Sequence, residues 1–190
     1  MSKRRYCWID LEMTGLESET DRILEAGVII TNKQFEPVYE WESAVFQPPE
    51  VVSGMNEWCQ HHHAASGLTA RIPDGITELQ LDDKLCEIAL TYFKKKNPLI
   101  ICGNSISQDR KFIERYLPKF AARIHYRMLD VSSFKIVFRE IYGREFVKEN
   151  THRAIDDIKE SIAELKYYMT AIDPSGLAII DNTPKSERDQ

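Results

Sequence analysis

Asp10 and Glu12 stand two residues apart in the segment Tyr6-Cys-Trp-Ile-Asp-Leu-Glu-Met13. In an extended chain residues i and i+2 share a face, so the two carboxylates would project side by side, about 7 Å apart. Hard divalent cations take several oxygen ligands, and Mg²⁺ or Mn²⁺ is the natural occupant of such a pair. A lone Asp-x-Glu on a strand is commonly just exposed charge, so the pair needs companions. Asp109 follows an apolar run and a Gly103-Asn104-Ser105 turn. There it suits either of two roles, a ligand at a strand end or an acid complementing a helix dipole. His152 precedes Asp157 by five residues, a separation that splits them between faces of a regular helix. They share a task only if His152 sits in the loop ahead of that helix. An imidazole titrates near neutral pH and can take a proton that a metal-bound carboxylate cannot. Helical spacing favours Asp157 over Asp156 only slightly.

The elements that must hold these groups follow from periodicity. Residues 5–13 alternate as a strand, with Cys7, Ile9, Leu11 and Met13 on one face and Trp8, Asp10 and Glu12 on the other. Ile23 to Thr31 and Val38 to Phe46, joined by Asn32-Lys33-Gln34, read as an antiparallel pair. A helix is predicted from Leu79 to Lys95, closed by a lysine run. Leu99 to Cys102 reads as a strand buried on both faces. A helix from Gln108 to Leu117 should stop at Pro118, Tyr126 to Val131 should form a strand, and Ser132 or Ser133 should cap a helix reaching Tyr142. The last helix runs from Arg153 to Ile172, with Ile155, Ile158, Ile162, Leu165 and Met169 turned inward. Strands first, then alternating helices and strands, predict an α/β fold around a mixed sheet.

Composition narrows the class. The 190 residues suit one domain, placed at 1–173, with a polar and partly disordered tail at 174–190. Hydrophobic (43%) and charged (29%) shares exclude a disordered chain. A net charge of −5 argues against a protein gripping long nucleic acid through many phosphates and for a small anionic substrate, with bound cations reversing the sign locally. The apolar run after the basic N-terminus ends at Asp10, too soon for a signal or membrane segment. Cys7, Cys59, Cys86 and Cys102 lie apart without C-x-x-C spacing and read as reduced, in a cytoplasmic protein. Consecutive side chains diverge in His61-His62-His63, so that run is a poor metal site.

Asp10-x-Glu12, Asp109 and His152-x4-Asp157, in that order, resemble the DEDD superfamily of 3′ exonucleases in its histidine branch. Four segments extend the resemblance to the oligoribonuclease family: Trp8 to Leu16, Cys102 to Asp109, His125 to Ser132 and His152 to Ser161. Together they span residues 6–170. The resemblance implies a ribonuclease H-like mixed sheet flanked by helices. It implies two divalent cations, Mg²⁺ or Mn²⁺, held by Asp10, Glu12, Asp109 and Asp157, with His152 as base and Tyr126 assisting. It further implies a short single-stranded RNA or dinucleotide as substrate, cut from the 3′ end to nucleoside 5′-monophosphates. Leu16 and Trp58 would meet the bases, His63 would approach the substrate, and Ser105, Arg127 and Ser132 would cap a 5′ phosphate. The family is homodimeric, with Tyr126 and Arg127 carried toward the partner's site. Two rival readings are a module that binds RNA ends without cutting them and a sister exonuclease acting on longer RNA or on DNA.

Overall fold

The computed structural model describes residues 4–94, 99–147 and 153–172. His152, the 174–190 tail and Lys95 and Lys96 of the lysine run lie outside the described residues. Five strands form one sheet in the order β3-β2-β1-β4-β5. β1 (Tyr6–Met13), β2 (Ile23–Thr31) and β3 (Pro37–Ala44) are antiparallel neighbours. β4 (Ile101–Gly103) runs parallel to β1, and β5 (Leu129–Asp130) runs parallel to β4. The sheet is therefore mixed, as expected, and β1 lies at its centre.

The period-2 reading of β1 decides which helices meet which face. Cys7, Ile9 and Leu11 enter a core shared with Leu81, Leu85 and Ile88 of α4 (Glu78–Tyr92) and with Phe112 of α5 (Ser107–Tyr116). Trp8 points the other way, into a second core with Phe138 of α7 (Val131–Tyr142) and Ile158, Ile162 and Leu165 of α8 (Ala154–Met169). Burying a side chain of this size contributes about 1.5–3 kcal/mol. Asp10 and Glu12 share Trp8's face, so the helix that covers Trp8 also reaches the carboxylates. The inward stripe predicted for α8 is found, with Ile155 and Met169 at its half-buried margins.

Several local expectations change. Residues 49–74, to which periodicity assigned no element, fold as α1 (Pro49–Ser53), α2 (Glu57–Ala65), α3 (Leu68–Arg71) and a short 3₁₀ turn. Only Cys59 and His63 of α2 are buried, so it lacks the apolar stripe that betrays a helix. Its start is fixed instead by Asn56, whose side chain accepts from the Cys59 amide at 2.8 Å. The predicted strand from Tyr126 to Val131 shrinks to Leu129–Asp130, because only those residues pair with β4. The cap of α7 is Asp130, which accepts from the Ser132 amide at 2.9 Å. Ser132 is engaged elsewhere, its hydroxyl taking the Ser105 amide at 2.9 Å. Pro118 does more than stop α5, since it opens α6 (Pro118–Ala121) from a position where its missing N–H costs nothing.

Candidate active site

Asp10 and Glu12 leave β1 toward α8, and Asp157, in the first turn of that helix, comes down to meet them. Carboxylate oxygens of the three lie within 4.8 Å of one another. Asp157, rather than Asp156, thus joins the pair.

The approach of α8 depends on β2. Gly27 is the cross-strand partner of Asp10, and a Cβ there would stand 3.0 Å from the backbone of Ala154 and Ile155. Glycine therefore lets the helix start rest directly on the sheet. α8 has no side-chain cap of its own. The fully buried Glu25, opposite Glu12, takes that part: its carboxylate accepts from the Ala154 amide at 3.3 Å while Arg71 and Arg153 pair with it. A carboxylate at a helix N-terminus also meets the positive end of the dipole.

Asp109 sits in the first turn of α5 and is buried, with Oδ1 accepting the Leu11 amide at 2.9 Å. It therefore braces β1 between the two strand carboxylates and faces the same cleft. Crowding and burial show in the acid strengths. Burial first, then the charges of Asp157, Glu25 and Asp109, push Glu12 up to about 8, against a smaller opposing pull from Arg153. Burial likewise raises Asp109 to about 7, opposed by the backbone amides it accepts. Both acids thus ionise less readily than ordinary carboxylates, and a cation bound among them would favour the ionised form. The donor set is entirely hard oxygen, which fits Mg²⁺ or Mn²⁺ and not a thiolate-seeking metal.

Asp10, Glu12 and Asp109 line a cleft of about 1080 Å³, with Asp157 set against the first two. Leu16 and Trp58 line it and remain 71% and 65% exposed, large apolar groups held out where a ligand could cover them. Trp58 stacks on His62 at 4.2 Å. The Leu16 loop is rigid: Asp21 accepts from the Thr14 hydroxyl and the Glu17 amide, each at 2.8 Å, and Tyr116 donates to the Ser18 and Asp21 carbonyls. A side chain at Gly15 would collide with the Asp21 carboxylate. Gln108, next to Asp109, donates to the Leu16 carbonyl. His63 also lines the cleft but is buried, with Nε2 2.9 Å from the Met13 carbonyl and Nδ1 3.9 Å from Glu12. A carbonyl can only accept, so Nε2 carries the proton and Nδ1 faces the acid.

At the far end, Ser105 takes a left-handed conformation (φ 49°), unusual for a residue with a Cβ and a frequent mark of functional turns. Its amide donates to Asp130 at 3.0 Å and to the Ser132 hydroxyl. Tyr126 and Arg127 are exposed, the guanidinium lying over the phenol ring, and are not among the described residues lining this cleft. Periodicity had no means of finding Asn104, Gln108, Asp21 or Glu25, whose parts are played through hydrogen bonds across the fold.

The exonuclease family RNase_T matches residues 7–165, which makes this chain a nuclease, a hydrolase of phosphodiester bonds. A protein of Francisella tularensis named oligoribonuclease is 43% identical over 164 residues, 85% of this chain and 92% of its own. Another of that name from Pasteurella multocida is 41% identical over 176 residues, 88% and 94% of the two chains. The chain belongs to the oligoribonuclease family. Solved structures of exonuclease I share its ribonuclease H-like fold. The apo form matches with a TM-score of 0.68 at 12% identity over 89% of this chain, and E. coli exonuclease I with a dT13 oligonucleotide gives 0.67 at 13% over 88%. The chain spans less than half the length of those proteins, 42% and 41%. No helix among the described residues is long and apolar enough to cross a membrane.

Proposed function

We propose that the protein is a 3′-to-5′ exoribonuclease that degrades very short oligoribonucleotides, dinucleotides above all, to nucleoside 5′-monophosphates. The observation that carries this reading is the convergence of Asp10, Glu12 and Asp157, with oxygens within 4.8 Å, where Asp10 and Glu12 enter a cleft flanked by exposed Leu16 and Trp58. Two divalent cations, Mg²⁺ or Mn²⁺, held by these acids and Asp109 would neutralise phosphate charge and make a bound water more acidic. Leu16 and Trp58 grip the two bases, which fixes the scissile phosphate over the carboxylates. His152, one residue ahead of α8's N-cap Arg153, takes the proton from the attacking water. Buried His63, with Nε2 on the Met13 carbonyl, stands beside Glu12 and approaches the substrate. Ser105, Ser132 and Arg127 hold the substrate's 5′ phosphate, and a filled cap leaves no room for a further nucleotide.

A second copy of the chain completes the site in this reading. Tyr126 and Met128, and on α7 Val137 and Ile141 one turn apart, are exposed apolar side chains of the kind a homodimer would cover. Tyr126 and Arg127 then serve the partner's cleft, with Tyr126 assisting catalysis there. The cytoplasm is the compartment that suits four free cysteines.

The test is hydrolysis of a 5′-labelled RNA dinucleotide in Mg²⁺. Turnover abolished by chelator and by Asp10→Asn is the expected result. Binding without turnover would favour an RNA-end module, and equal rates on dinucleotides, longer RNA and DNA would favour a less selective exonuclease.

A further inference from the structure

Asn104 stands between the Ser105–Ser132 end of the cleft and the helix that carries Asp157, and its amide is committed in both directions. Its Nδ2 donates to the Ser161 hydroxyl at 2.8 Å and to the Glu164 carboxylate at 3.0 Å. The carboxylate can only accept, which fixes the orientation of the amide. Its Oδ1 therefore faces the cap, where it accepts from the Ser132 hydroxyl at 3.2 Å. Ser161 in turn donates to the backbone carbonyl of Asp157 at 2.8 Å. Ser161 and Glu164 are buried, and Glu164 also takes the Tyr168 hydroxyl at 3.1 Å, so the inner end of this chain is anchored in the core. Asn104 lines the cleft, yet its polar atoms face protein partners.

The outer end is different. The Ser132 hydroxyl has one proton, which goes to Asn104 while the oxygen accepts from the Ser105 amide and from the Ser105 hydroxyl at 3.2 Å. A phosphate oxygen arriving at Ser132 competes for the same proton. When the hydroxyl turns to the phosphate, Asn104 loses its outer partner, and the strength and direction of its hold on Ser161 change, since linked hydrogen bonds polarise one another. Ser161 passes that change to the backbone of Asp157.

We infer that Asn104 is a positioning residue that couples phosphate at Ser105 and Ser132 to the pose of Asp157, so that the substrate's 5′ end is read as catalytic rate and not only as affinity. The inference rests on the reading of Ser105 and Ser132 as the 5′-phosphate cap. It differs from that reading in placing length discrimination partly in kcat.

The experiment compares two RNA dinucleotides, one 5′-phosphorylated and one with a 5′-hydroxyl, on the wild type, Asn104→Ala, Ser161→Ala and Ser161→Thr, with thermal melting as a control for folding. Losing one hydrogen bond of the chain should lower kcat on the phosphorylated substrate about tenfold in Asn104→Ala, with KM nearly unchanged. The 5′-hydroxyl substrate, which leaves Ser132 bonded to Asn104, should lose no more than about twofold. Ser161→Ala leaves the cap intact and breaks only the inner link, so it should show the same selective loss and decides the matter if Asn104→Ala fails to fold. Ser161→Thr keeps the hydroxyl and should restore the rate. Equal losses on both substrates would reduce Asn104 to structural support, and a loss confined to KM would reduce it to a cap residue; either overturns the coupling while sparing the cap. A wild type indifferent to the 5′ phosphate would remove the cap itself, and the coupling with it.

Discussion

The two sides of the cleft are built by different physics. On one side Asp10, Glu12 and Asp157 are placed by a strand and a helix packed on a common core, and their mutual distances follow from periods of 2.0 and 3.6 residues. On the other, Leu16 and Trp58 are held out by a loop and by a helix with almost no buried face, through capping groups and carbonyl contacts. In the proposed mechanism a displacement of the first side would misplace charge at the reacting centre and lower kcat. A displacement of the second would change how the bases are gripped and raise KM.

The largest effect should come from the acidic side. Asp157→Asn is expected to lower kcat by about 10²–10³-fold, the scale for removing one fixed electrostatic partner of a transition state. Asp156→Asn should cost less than about threefold. Steady-state kinetics on a dinucleotide will separate the two, and equal losses would break the assignment of Asp157.

Next is the support beneath α8. Gly27→Ala puts a methyl 3.0 Å from the Ala154 and Ile155 backbone. The helix start must give by a few tenths of an ångström, and since a displacement near 1 Å at a reacting centre costs about a hundredfold, this smaller one should cost about tenfold. The expected result is a kcat loss of that order with a destabilisation of about 1–3 kcal/mol, read by urea unfolding. KM should hardly move.

On the gripping side, Trp58→Ala removes a stacking surface worth about 1–3 kcal/mol per base. KM should rise about tenfold or more while kcat stays within about threefold. A kcat loss as deep as that of Gly27→Ala would erase the contrast between the two walls.

The smallest effect is on stability against pH. Glu12 and Asp109 are raised to about 8 and about 7 in the fold, above the ordinary values of 4.5 and 3.8. The folded protein therefore binds protons more tightly than the unfolded chain, and stability without metal should fall as pH rises through this interval. The melting temperature measured with chelator is expected to drop by at least a few degrees between pH 5.5 and 8.5. Mg²⁺ should reverse the drop at the alkaline end, since a cation prefers the ionised acids. A metal-free protein that gains stability over this range would show that the crowding of the acids is relieved in some other way.

The same contrast explains what could be read from residue order. The mixed sheet, the face of β1 that carries Asp10 and Glu12, and the α8 stripe were legible because each rests on hydrophobic periodicity, the strongest local signal. α2 was not, because its buried residues are Cys59 and His63 and its other faces meet solvent and cleft. The strand expected from Tyr126 shortened because three of its residues, Tyr126, Arg127 and Met128, are exposed ahead of the pairing with β4. Asp109 and Trp58 could be singled out only through the family resemblance, since an acid in a first helical turn and an exposed aromatic each have commoner explanations. Asn104 and Glu25 escaped periodicity, because Asn104's bond to Ser161 spans 57 residues of the chain and Glu25's bond to Ala154 spans 129.

The borrowed cap on α8 has a bearing on the order of assembly. A helix that ends in its own serine or aspartate can form early, as a local event, but one whose first amide is satisfied by Glu25 gains that bond only after β2 is folded beside it. Asp157 therefore meets Asp10 and Glu12 only once β2 is in place. Until then the sheet carries two acids and no third to close the ring, so in the proposed mechanism nuclease competence is tied to completion of the fold.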